Sequence, residues 1–165
     1  MMTLQNFILV LTATTTALIA GLFYAWTCSV IPGLSRLTNV EYIRAMQSFN
    51  EAIQNPLFFI CFFGTALLLP ICTYMHFGQP VSIRFWLLLT ATVAYLLGVM
   101  AVTIFGNIPL NESLADFNLI LANPEAIAAQ RRNFENSWNN LHTVRTIASA
   151  LSIVLVIIAC INPEE

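Results

Sequence analysis

Apolar residues run nearly unbroken through four stretches of this chain, and polar positions return with helical period in the longer segments between the first and second and between the third and fourth. Phe7 to Ile31, Leu57 to Phe77, Phe85 to Phe105 and Leu141 to Ile161 each approach or exceed the ~20 residues that carry a helix across a bilayer core. The pattern therefore predicts four membrane spans, at 7–31, 57–77, 85–105 and 141–161. Pro32-Gly33 reads as the end of the first, and Asn55-Pro56 as N-cap and first-turn proline of the second. The third closes on Asn107-Ile108-Pro109-Leu110-Asn111, where Pro109 disfavours helical geometry at Ile108. Its two asparagines either cap the helices on each side of that break or point into the mouth of the bundle.

The polar-periodic segments have their own start signals. Thr38-Asn39-Val40-Glu41 has the form of a capping box and opens a short helix to about Gln54, with Tyr42, Met46, Phe49 and Ile53 as its apolar stripe and Arg44, Gln47 and Glu51 on its wet side. Asn50 falls on the buried side. An unpaired buried amide costs about 1–3 kcal/mol, so Asn50 either braces another helix or faces a polar cavity. Asn123-Pro124-Glu125 gives an N-cap, a first-turn proline and an acidic residue at the positive end of a helix dipole. From there one helical pattern continues to Ile161, with no Gly or further Pro before Pro163. At ~1.5 Å per residue it is roughly 55 Å long, more than the ~40–45 Å of a bilayer with headgroups, so its first turns project from the membrane or it breaks near Asn139-Asn140. On a helical wheel Trp138, His142, Arg145 and Ser149 share one stripe with Ser152 beside them, while Val144, Ile147 and Leu151 point away.

Both halves thus read as span, Ile-Pro, amphipathic segment, span, an arrangement that hints at a parallel duplication. The expected architecture is all-α: a four-helix transmembrane bundle forming one domain over 1–165, with amphipathic loop helices between spans 1-2 and 3-4.

Composition narrows the class. A chain of 165 residues that is 58% hydrophobic and 8% charged is a multi-pass membrane protein, placed in the cell membrane if the source is bacterial. Met1 to Asn6 carries no basic side chain and the first apolar run is too long for a cleaved leader, so it is read as a retained helix. All six cations are arginines. Arg36, Arg44, Arg131 and Arg132 mark the face of the two long loops against Arg84 on the other, so the long loops are expected in the cytoplasm. The net charge of -2 offers no footprint for nucleic acid. Cys28, Cys61, Cys72 and Cys160 have no paired spacing and read as small buried hydrophobes, and two histidines, His76 and His142, support no histidine-rich metal centre.

Candidate chemistry lies on the long-loop face. Span 4 needs Trp138 to Arg145 within the outer part of the membrane, where an ionisable residue normally faces a bundle interior or a wet cavity. Arg145 either snorkels to headgroups, with His142 a satisfied neighbour, or both serve a binding or catalytic site. Asn50, Asn107, Asn111 and Trp138 belong to the same face, so six polar or aromatic groups converge there.

These residues carry a resemblance. Ala20-Gly21-Leu22-Phe23-Tyr24-Ala25-Trp26, Val30-Ile31-Pro32-Gly33-Leu34, Met46-Gln47 with Asn50, Ile53, Asn55 and Pro56, then Asn107-Ile108-Pro109-Leu110-Asn111, and Trp138 with His142, Arg145 and Thr146 resemble the anthrone oxygenase-like membrane proteins in order and spacing. Leu141 and His142 stand where that family often has Trp and Asn. The resemblance implies a membrane-embedded oxygenase or oxidase for a lipophilic aromatic such as an anthrone, with the bilayer, the lipophilic molecule and dioxygen as partners and no identified metal or organic cofactor. An anthrone carries an acidic methylene beside its carbonyl, and the enolate left by proton removal reacts directly with oxygen. Neutral His142 suits the base, Arg145 the anion stabiliser, Trp138 a stacking surface, and Asn50, Asn107 and Asn111 the orientation of oxygens. The rival reading is a small transporter or structural subunit whose asparagines and arginine form a closed hydrogen-bonded plug.

Overall fold

The computed structural model describes residues 3–162; Pro163, expected just beyond the last span, lies outside the described residues, as do Met1, Met2, Glu164 and Glu165. Among the described residues every regular element is helical. Four helices are long and apolar enough to cross a membrane, Leu4–Leu34, Pro56–Met75, Ile83–Ala115 and Pro124–Ile161, as expected of a membrane protein. Each packs on its neighbours in the chain, and the first closes the ring against the fourth. The outward faces are apolar, as hydrocarbon requires: Leu57, Leu67, Phe105 and Ile147 are among their most exposed residues.

The start signals act as the sequence implies. Asn55 and Asn123 cap the second and fourth helices through bonds from the backbone N–H groups of Phe58 (3.1 Å) and Ala126 (2.8 Å). Thr38 and Glu41 form the capping box of a loop helix, Asn39–Ala52, and these bonds hold the Glu41 carboxyl below its ordinary pKa. In the second half the amphipathic segment is continuous with the fourth span. Helix Pro124–Ile161 runs through Asn139-Asn140 without interruption, 38 residues in one piece and so longer than a span needs. Near its start Arg131 donates to the Leu37 carbonyl (2.7 Å), pairs with Glu135 (2.7 Å) and covers the Tyr42 ring at 4.5 Å, clamping the loop helix to the fourth helix.

Both Ile-Pro sites differ from expectation in the same way. The first helix continues past Pro32 to Leu34 and the third past Pro109 to Ala115. A wide π-turn precedes each, Trp26–Val30 and Thr103–Asn107, in which the N–H of Ile31 reaches back to the Trp26 carbonyl and that of Ile108 to the Thr103 carbonyl. Proline breaks a helix because it lacks a donor and crowds the carbonyl four residues back; one extra residue in the preceding turn displaces that carbonyl. The two Ile-Pro sites thus share a local backbone geometry, while the third helix carries a further π-turn, Leu96–Ala101, with no counterpart in the first.

Two apolar cores follow. One holds Leu9, Ile19, Phe62, Leu69, Leu88, Tyr95 and Val156 within the spans, and the other joins Leu34, Tyr42, Met46, Leu114, Phe134 and Trp138 beneath the loop helix. Ala13, Ala17 and Gly21, whose four-residue spacing in the first helix would suit a close-packed seam, do not form one: Ala17 and Gly21 are exposed, and nothing lies within 4 Å of where a Gly21 side chain would start. Thr12 and Thr16 are buried instead, each hydroxyl satisfied by the carbonyl one turn earlier. The close helix contact is Gly98 against Ala148, between the third and fourth helices. Of the four cysteines only Cys72 is fully buried, with Cys28 and Cys160 on the outer face, and His76 is buried with Nδ1 at 2.8 Å from the Cys72 carbonyl.

Candidate functional site

The polar stripe of the fourth helix points inward. Trp138, His142, Arg145, Ser149 and Ser152 are all buried, whereas Val144, Ile147 and Leu151 are exposed. Where the two apolar cores meet, a cavity of about 950 Å³ opens between the helices, lined by Trp138, His142, Arg145, Asn50, Asn111 and Phe23 among others. It lies toward the long-loop end of the bundle.

Arg145 is 7% exposed, and its guanidinium is sandwiched, 4.9 Å from the Phe23 ring centroid and 5.3 Å from that of Trp138. Nη1 donates to the Thr103 hydroxyl (3.3 Å) and Nη2 to His142 Nδ1 (3.1 Å). Neither partner is a carboxylate, and Nε is buried without a partner among the described residues. A guanidinium cannot accept, so Nδ1 of His142 must, and the imidazole is the neutral tautomer with its proton on Nε2. That Nε2–H has the Thr27 hydroxyl at 3.1 Å and the Phe23 carbonyl at 3.3 Å, and Thr27 in turn donates to the same carbonyl at 3.1 Å. The chain of bonds thus runs from Arg145 Nη2 through His142 and Thr27 to the Phe23 carbonyl.

The aromatic wall is continuous. The His142 ring stacks on Trp138 at 5.1 Å and 11°, and Trp26 lies 5.9 Å from Trp138 and 5.3 Å from Phe49 of the loop helix. Trp138 Nε1 donates to Asn111 Oδ1 (2.8 Å), and Asn107 Nδ2 donates to the Trp138 carbonyl (3.4 Å). Both asparagines therefore brace the fourth helix; neither makes the side-chain cap that the expected break called for, because no break occurs. Asn111 also faces the cavity, while Asn107 is buried behind it with Oδ1 unpaired. Asn50 is half-buried on the cavity wall with Nδ2 unpaired, which favours the cavity role over the bracing one. The brace of the loop helix is Gln47, expected on its wet side, whose Nε2 donates to the carbonyls of Leu114 (2.8 Å) and Phe117 (3.0 Å).

Five of the six expected site residues line the cavity, and Asn107 supports it. Phe23, Trp26 and Thr103 join them, although the sequence reading assigns them no site role, and Thr27 stands behind His142, 3.1 Å from its Nε2. Trp26 and Thr103 each stand five residues before the isoleucine of an Ile-Pro pair, where the π-turn begins. That repeated offset was the available signal.

Three buried donors have no partner among the described residues and belong to residues that line the cavity: Arg145 Nε, Asn50 Nδ2 and Trp26 Nε1. The arrangement is suited to oxygen acceptors on a flat ring, with the strongest donor able to hold a negative charge. Residues 58–155 match the family model described as Anthrone oxygenase. The motifs of the first helix and loop helix lie ahead of that match. No protein of curated function and no solved structure matches the chain.

Proposed function

We propose, from the premise that this chain belongs to the anthrone oxygenase family, that it is a membrane-embedded oxygenase for a lipophilic aromatic ketone. The observation that carries the reading is Arg145: a buried cation without a carboxylate partner, its Nε unpaired, on the wall of a cavity large enough for a polycyclic ring. The ketone oxygen accepts from Arg145, and Trp138 offers its ring face to the aromatic system. As Arg145 turns its donors toward that oxygen, the Nδ1 lone pair of His142 is released and takes a proton from the methylene beside the carbonyl. Negative charge then develops on the oxygen already facing the guanidinium, which stabilises the enolate more than the neutral ketone. The enolate is oxidised by dioxygen: the methylene carbon gives up two hydrogens and gains one oxygen atom as a second carbonyl, and the other oxygen atom leaves as water. Dioxygen and the ketone both partition into hydrocarbon, so the bilayer supplies each.

Purified protein incubated with 9-anthrone is expected to consume oxygen and form anthraquinone in equal molar amounts, followed with an oxygen electrode and by quinone absorbance. Turnover no faster than in buffer would refute anthrone chemistry for this chain. We further infer from the arginine bias that the protein sits in a cell membrane with the long loops, and with them the cavity mouth, on the cytoplasmic side. A reporter inserted near Asn118 should then stay cytoplasmic and one fused after Glu165 should be exported. The opposite pattern would invert the orientation and leave the site intact.

A further inference from the structure

The cavity has two kinds of rim. Glu51 of the loop helix, Gln54 just after it and Glu112 of the third helix form an exposed polar one. The other is apolar. Phe59 and Phe63 of the second helix and Ile104 and Ile108 of the third line the cavity, yet they are 38%, 48%, 44% and 41% exposed on the outside of the bundle. A side chain that both lines a cavity and stands on the outer surface borders an opening, and these four belong to helices that cross the membrane. Deeper in the bundle the same two helices are tied together, by the Tyr95 hydroxyl donating to the Phe62 carbonyl (2.9 Å) and by Thr73 against Thr92 (2.9 Å). The slot therefore begins above the Tyr95–Phe62 bond and faces hydrocarbon.

We propose that this slot is a lateral portal holding a hydrocarbon chain of the ligand, so that the ligand is an aromatic carbonyl compound with an aliphatic tail, taken from within the bilayer. The proposal rests on the reading that the cavity binds an aromatic carbonyl ring. Three features support it. The unpaired donors of Arg145, Asn50 and Trp26 hold the oxygen-bearing ring inside, and the phenylalanine and isoleucine side chains at the slot offer nothing to an oxygen. About 950 Å³ is near the top of the ~300–1,000 Å³ usual for small-molecule sites, which leaves room beyond a tricyclic ring. A tail passing through the slot also stays solvated by lipid, whereas one leaving by Glu51 and Glu112 would enter water.

The test uses the full chain in phosphatidylcholine liposomes, with Trp86→Phe removing the exposed tryptophan that does not line the cavity. Quenching of the remaining tryptophans reports binding of two probes, 9,10-anthraquinone and 2-dodecyl-9,10-anthraquinone. Ile104→Phe and Ile108→Phe each narrow the slot, and Ile104→Ala widens it. Comparing variants with the same probe cancels unequal partitioning into lipid. At least one narrowing variant should bind the dodecyl probe about 10-fold more weakly, equivalent to ~1.4 kcal/mol, while holding anthraquinone within about 2-fold, and the widened variant should bind the dodecyl probe more tightly than that narrowing variant does. If both narrowing variants keep the dodecyl probe, or lose both probes equally, the portal is refuted and the ring reading stands on the parent's binding. If neither probe quenches the parent saturably, the ring reading fails and the portal with it.

Discussion

Arg145→Lys is expected to lower oxygen-dependent turnover about 100-fold or more while leaving the protein folded, the loss usual when a donor to a developing oxyanion is removed. The guanidinium divides its donors between Thr103 and His142 while staying within 4.9 Å and 5.3 Å of the Phe23 and Trp138 ring centroids. An ammonium is a compact point charge and cannot fill those positions together. An arginine that merely reached for headgroups would behave otherwise, since lysine snorkels as well. His142→Asn separates the two roles. The asparagine Oδ1 can still accept from Arg145 but is no base, so turnover should fall by about 100-fold or more although the arginine remains held. Activity is read as oxygen uptake per folded protein, with folding checked by gel filtration in detergent. Full activity in both variants would remove these side chains from the chemistry.

Gly98→Ala should cost about 1–3 kcal/mol of stability, the range for overpacking a filled interface. A Cβ on Gly98 would lie 2.4 Å from the Ala148 Cβ. Neither methyl group has a rotamer by which to escape, so the third and fourth helices must separate. Because Arg145 is less than one turn from Ala148, its placement against Thr103 suffers too. Ala148→Gly in the same chain returns the space and should recover most of the loss, whereas two independent sites would simply add. Gly21→Ala is the control, because open space surrounds that position, and it should be neutral or slightly stabilising. Unfolding in detergent measures all four proteins. A Gly98→Ala protein as stable as the parent would show that the helices can part without penalty.

The sequence made the spans legible because hydrocarbon tolerates one kind of residue over a fixed length, and it made the inward stripe of the fourth helix legible because that helix has no irregularity to disturb its period. Caps at Asn55, Thr38 and Asn123 were readable for a similar reason: they act over three residues of local chain. The misreadings share an opposite cause. Pro32 and Pro109 carry strong local breaking tendencies, and a change of backbone winding upstream overrode them. Asn107 and Asn111 looked like caps because a break was expected, and they were free to brace Trp138 once the helix ran on. Gln47 was placed in water by its own wheel, which carries no information about the carbonyls of Leu114 and Phe117 at the end of another helix.

The π-turns also set what kind of change the protein can absorb. Each holds one residue more than a regular helical turn, and one residue is about 100° of rotation. The helix beyond the turn is therefore out of phase with the helix before it, and the two segments present faces that a uniform helix would not align. Phe23 on one side of the first turn and Leu34 on the other are both buried under this arrangement, as are Tyr95 and Leu114 on the two sides of the third helix's wide turns, which also include Leu96–Ala101. Loss of Cys28, Ser29 or Val30 from the first turn would restore uniform winding there and swing one of its flanking segments out toward lipid, with the side chains of the site chemically intact. The pocket is in this sense encoded by spacing as much as by residue identity, and shortening a helix by one position reaches it where many substitutions on the outer face would not.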